Sequence, residues 1–161
     1  MNKTTSSLAA ILLVFLFEAT SFAEQPSPAP EGTFSFVVLP DTQAYVSKDK
    51  AIYFESEVNW ILDNRKSQRI KFVSHVGDIV GTYESDAHWK VARKNMLRLL
   101  GRVPFGFSVG NHDMQSSGDS RKFQKAFPAS LFADLPWYGG QIKNNANSFQ
   151  LISVNGMEFL V

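Results

Sequence analysis

No cysteine occurs among the 161 residues. That excludes thiolate catalysis, disulfide bracing and lipid attachment through sulfur, so the fold must rest on its core and on any bound metal. No apolar run is long enough to span a bilayer. The longest, Leu8 to Phe17, has ten residues, where a membrane helix needs about 20. Nor is there an excess of charge of either sign. With 16 basic and 15 acidic residues the net charge is +1, which leaves no nucleic-acid or anionic-membrane footprint on net charge, although local patches are not excluded by it. Histidine is scarce too: there are three, and none follows His112.

What is present begins with an address. Lys3 and a Thr/Ser stretch precede the Leu8 to Phe17 run, and Ser21-Phe22-Ala23 supplies a small-x-small cleavage site. This is the pattern of a removable export signal over residues 1–23. The expected location of the mature chain, starting at Glu24, is periplasmic or extracellular, with no stable membrane anchor. Residues 24–32, with Pro26, Pro28 and Pro30 alternating with small residues, read as a semi-extended linker. The remainder, 33–161, fits one domain, and 44% hydrophobic with 13% aromatic residues suffices for a sizeable core.

Hydrophobic patterning predicts an α/β domain. Thr33 to Leu39 is β-branched and aromatic and ends at Pro40, which cannot continue a ladder. Phe54, Val58, Ile61 and Leu62 recur at helical spacing, and Ile70 to Val76 returns to strand composition. The pattern repeats with a helical face of Trp89, Ala92, Met96, Leu99 and Leu100, a stop at Gly101, and a third strand from Val103 to Val109. Right-handed crossovers would make these three strands parallel and bring their carboxyl ends to one edge. Further on, a polar loop from Met114 to Ser120 leads to a short amphipathic helix through Phe123 and Phe127. Leu135 to Gly140 reads as an aromatic turn at the rim of the site, with Trp137 and Tyr138 themselves favoured as core aromatics. Asn155-Gly156 predicts a type I′ hairpin joining Ser148–Val154 to Met157–Val161.

Each of the first three strands runs into a cluster of ligand-type residues: Pro40-Asp41-Thr42-Gln43, Gly77-Asp78-Ile79-Val80 and Gly110-Asn111-His112-Asp113. Ligands at the carboxyl ends of parallel strands converge although they are far apart in sequence. A carboxylate can bridge two cations about 3.5 to 4 Å apart, an arrangement that binds phosphate and activates water. Asp78 is the bridging candidate. Asp41 and Gln43 are candidates for one cation and the Asn111 amide oxygen for the other, an all-oxygen set that favours hard ions. His112 is read as a catalytic proton donor, since imidazole titrates near neutrality. Asp113 is read as orienting the loop or the imidazole. Taken alone, Asp41 would be a solvated turn residue. His75 is assigned to the core and His88 to a helix start.

These clusters resemble the calcineurin-like metallophosphoesterase family, whose pattern is Asp-x-His, Gly-Asp-x-x-Asp and Gly-Asn-His-Asp or Gly-Asn-His-Glu. Gly110 to Asp113 matches the third part completely. The resemblance implies a four-layer α-β-β-α sandwich and a binuclear site. Two divalent or trivalent ions, manganese, iron or zinc, would hydrolyse a phosphomonoester or phosphodiester substrate by way of metal-bound hydroxide. Carried over by motif, Asp41 and Gln43 correspond to first-metal ligands, Asp78 to the bridge, Asn111 to a second-metal ligand and His112 to the proton donor. Gln43 stands where the family usually has His, and Gly81 where it has a second Asp that supports the catalytic imidazole. The family's downstream His ligands have no counterpart here, so the sandwich is expected to be cut short at its C-terminus and the site incomplete. The alternative is a secreted noncatalytic binding module that retains the fold.

Overall fold

The computed structural model describes residues 25–143 and 145–161; the expected export signal lies outside them. Three parallel strands, β1 (Ser35–Leu39), β2 (Ile70–His75) and β3 (Phe105–Phe107), lie in the order β1-β2-β3. Leu39 is in register with His75 and His75 with Phe107, so the three strands end at one edge. The third strand is shorter than its apolar run, because Pro104 cannot donate to a ladder; its carbonyl still accepts from Val73 N at 2.9 Å.

The crossovers are α1 (Ala51–Asn64) and α2 (Asp86–Met96). Ser85 caps α2, its Oγ accepting from His88 N at 3.3 Å, and Asp86 complements the helix dipole. His88 is thus in the first turn, as its position suggested. Phe54, Val58 and Ile61 of α1 and Trp89, Ala92 and Met96 of α2 pack with Leu39, Val73 and Phe105 into one core. Phe54 is wholly buried, and truncating such a residue to Ala costs about 3–5 kcal/mol. A short helix, α3 (Arg121–Ala126), docks on α2 through Lys122 Nζ to Asp86 at 2.9 Å and through Arg93 to the Ala126 carbonyl.

The opposite face of the parallel sheet meets an antiparallel sheet of β4 (Tyr138–Ile142), β5 (Asn147–Val154) and β6 (Met157–Leu160), in the order β4-β5-β6. Phe36 contacts Phe72 and Phe159 edge-on at 5.8 and 5.1 Å, which joins the sheets through aromatic rings. Asn155 and Gly156 both have positive φ, 52° and 76°, the two left-handed residues that a type I′ turn requires. The domain is therefore mixed α/β, with helices, a parallel sheet and an antiparallel sheet in succession among the described residues.

One expectation changes: Tyr138 to Gly140 is not a turn at the rim of the site but the start of β4, paired with β5. Trp137 and Tyr138 pack against the core, as favoured, Trp137 on Phe105 at 5.8 Å, and Trp137 lines a cleft with Ile70 and Val103 at the amino ends of the parallel strands. Residues 25–32, read as a linker, are tied to the turn before β2. Ala29 N donates to Ser67 O at 2.8 Å and Gln68 Nε2 to Ser27 O at 2.9 Å.

Candidate metal centre

All three ligand-bearing clusters lie just beyond the strands' carboxyl ends, and their loops are bonded to one another. The first cluster is locally closed. Asp41 Oδ1 accepts from Gln43 N at 2.8 Å and Oδ2 from the Gln43 side-chain amide at 2.6 Å. Asp41 is exposed. Gln43 directs its nitrogen at the carboxylate, which leaves its amide oxygen as the donor atom for a cation.

Asp78 sits in the left-handed region, with φ 50°, a conformation Asp tolerates better than bulkier residues. Its Oδ1 accepts from His112 N at 2.9 Å, so the second cluster receives the third directly. The neighbouring glycine is essential to this approach. A Cβ on Gly110 would lie 2.1 Å from Asp78 Oδ1 and 2.3 Å from Asp78 N, well inside contact distance. Asn111 is exposed, and its side chain has no hydrogen-bond partner among the described residues.

Asp113 clamps the same two loops. It is fully buried, and it accepts from Ile79 N at 2.8 Å and Val80 N at 3.0 Å through Oδ1, and from Gly110 N at 2.9 Å through Oδ2. Burial raises its pKa, the three N–H donors oppose that rise, and the Asp78 charge adds to it. Of the two roles read for Asp113, it performs loop orientation; the imidazole is held elsewhere. His112 Nδ1 lies 3.0 Å from the Gly81 carbonyl. A carbonyl only accepts, so Nδ1 carries the proton and Nε2 is left without that partner.

His75 joins the first two loops from below. It is wholly buried and accepts from Gly77 N at Nδ1, 3.2 Å away, so Nε2–H donates to Thr42 Oγ1 at 3.0 Å. Thr42 in turn donates to Ile79 O at 3.2 Å. Burial lowers the His75 pKa to about 4, against smaller raising effects from Asp41 and Asp78. It is a satisfied core histidine and a brace, as its place in the strand suggested, but its partner Thr42 was given no role by sequence, although a hydroxyl directly after Asp41 was the available signal. Position 81 was marked by the motif as the imidazole's partner; that its main-chain carbonyl takes the role of the side chain was not.

Asp41, the Gln43 amide oxygen, the second oxygen of Asp78 and the Asn111 amide oxygen are all oxygen donors, and this suits hard cations. Only two of the four carry charge. Among the described residues no three His, Cys, Asp or Glu side chains gather into a metal-holding group. The donor set therefore suits hard ions in atom type but is short of charge. A cavity of about 510 Å³ between the sheets is lined by Ser74, Ser108, Val109, Met114 and Lys143, next to the third cluster in sequence.

No family model matches the chain, and no solved structure matches it. Over 136 residues it is 37% identical to "Uncharacterized protein YvnB" of Bacillus subtilis (strain 168). That similarity takes in 83% of this chain and 10% of the relative, so the chain spans about a tenth of the relative's length. Among the described residues no helix is long and apolar enough to cross a membrane.

Proposed function

We propose that this domain forms part of a metal-dependent phosphoester hydrolase site, in an exported protein with the four-layer sandwich of the calcineurin-like metallophosphoesterases. The observation that carries the reading is the junction of the second and third clusters. Asp78 receives His112 N–H at 2.9 Å while Asp113 gathers the backbone of Gly110, Ile79 and Val80. This junction spends one Asp78 oxygen on fixing the loop and leaves the other for a ligand.

Asp41, Gln43, Asp78 and Asn111 would hold the ions, manganese, iron or zinc. When bound, such ions neutralise the phosphoester and lower the pKa of water. His112 supplies the proton chemistry. With Nδ1 fixed on Gly81 O, Nε2 is the atom at which a proton is held and released to the departing alkoxide. The Gly81 carbonyl orients the ring at the position where the family's motif places an Asp.

A second reading has its own support. Among the described residues two carboxylates would serve the site, and one of them is already engaged by Gln43; a noncatalytic binding module that keeps the fold would show the same. Hydrolysis of p-nitrophenyl phosphate and bis-p-nitrophenyl phosphate with added Mn²⁺, by the wild type and His112→Ala, separates the two. Turnover that falls by about a hundredfold or more in the variant supports the hydrolase. Saturable metal binding with no turnover of either ester supports the module.

A further inference from the structure

At the far edge of the parallel sheet from these loops lies a cleft of about 670 Å³, within the range of small-molecule sites. Arg65, Lys66, Arg69, Lys71 and Arg102 line it, with no acidic residue. None of the five is in an ion pair among the described residues, where the ion pairs join Arg121 to Asp119 and Lys122 to Glu84 and Asp86. Five of 16 basic residues thus collect in one concavity of a chain that is otherwise in acidic excess.

The α1 dipole accounts for Arg65 and Lys66, which follow the helix C-terminus. It does not account for the others. Arg69 is held at φ 50°, a strained state for a long side chain. It is fixed there by Arg69 N to Lys66 O at 3.2 Å, Ser35 N to Arg69 O at 3.1 Å, and Arg69 Nε to Ala29 O at 3.3 Å. Its terminal nitrogens have no partner among the described residues. Arg65 Nη1 donates to the Arg102 carbonyl at 2.8 Å, which keeps two like-charged residues adjacent rather than letting them separate. Trp137 lines the same cleft.

We propose that this cleft is a binding site for a small multiply charged anion, of the class of molecules with two or more linked phosphates. A guanidinium matches phosphate oxygens bidentately, several cations in one concavity favour several charges on one ligand, and the volume suits a small molecule better than a flat macromolecular contact. The site is independent of the metal reading, because no ligand-bearing loop contributes to it.

Sodium tripolyphosphate is the probe, titrated in EDTA at low salt and followed by calorimetry and by tryptophan fluorescence. Saturable binding is expected, with a fluorescence change that disappears in Trp137→Phe, and an apparent affinity at least about tenfold weaker in the double variant Arg65→Gln, Arg102→Gln. Both variants are checked for an unchanged unfolding midpoint. A third charge variant, Lys71→Gln, lies on an exposed strand position and serves if the double variant is unstable. Absence of heat and of a fluorescence change up to about 1 mM overturns the proposal, as does binding that the charge variants leave unaltered. A single-stranded oligonucleotide that binds through the same residues much more tightly than tripolyphosphate overturns it as well, and makes the cleft a nucleic-acid contact.

Discussion

His112 and Gly81 are joined by a 3.0 Å contact between Nδ1 and the glycine carbonyl, across 31 positions of sequence. The backbone here supplies the acceptor that a carboxylate supplies in the motif this segment resembles. The glycine is also sterically confined, since a Cβ at position 81 would lie 2.9 Å from the Gln43 carbonyl. Gly81→Asp is therefore expected to destabilise the domain by about 1–3 kcal/mol through forced displacement of the first loop, and not to restore a stronger His112. Urea unfolding of the variant beside Gly81→Ala, which carries the clash without the charge, checks this.

Asp113→Ala removes an acceptor from three N–H groups at once, those of Ile79 and Val80 buried and that of Gly110 partly so. A loss of about 3–5 kcal/mol is expected. Asp113→Asn keeps one oxygen acceptor and should fall between wild type and Ala. Thermal unfolding followed by circular dichroism reads both.

His75 makes stability depend on pH. Its folded pKa, about 4, lies below its unfolded value of about 6.5, so the unfolded chain binds the extra proton first. The contribution is fully present above about pH 6.5 and is lost as pH falls toward 4, amounting to about 3 kcal/mol. Asp113, whose pKa burial raises, contributes with the opposite sign above its own unfolded value. Urea midpoints at pH 7.5, 5.5 and 4.5 should fall steeply with acid in the wild type. The slope over this range should flatten in His75→Gln.

The Phe149 ring covers Gly139, where a Cβ would approach within 2.3 Å of it. Gly139→Val is expected to break the pairing of β4 with β5 and to lower the melting temperature, and to weaken tripolyphosphate binding as well, because Trp137 and Leu151, Ile152 and Ser153 of β5 line that cleft. Tryptophan emission and thermal melts of the variant measure both.

The first three strands and their helices could be read from sequence because each burial pattern is local: β-branched runs close at Pro40, Gly77 and Gly110, and α1 and α2 repeat apolar residues at helical spacing. The Asn155-Gly156 turn carries its own backbone preference. β4 could not be read this way. Tyr138-Gly139-Gly140 has turn composition, and it is a strand because β5 pairs with it and Phe149 packs on the glycines, contacts that exist only after folding. The same division holds at the site. Asp41, Asp78 and Asn111 are marked by their motifs, and the loops carrying them meet. The braces between those loops are Thr42 with His75, Asp113 with three backbone N–H groups, and His112 with a carbonyl. Most of these involve main-chain atoms, which no residue type announces.

The proposed cation site is tested most directly by titrating Mn²⁺ into wild type and Asp78→Asn protein by calorimetry. A site built on Asp78 requires saturable binding by the wild type and a loss of at least about tenfold in affinity in the variant. Wild-type protein that takes up no Mn²⁺, or a variant that binds as well as wild type, would contradict it.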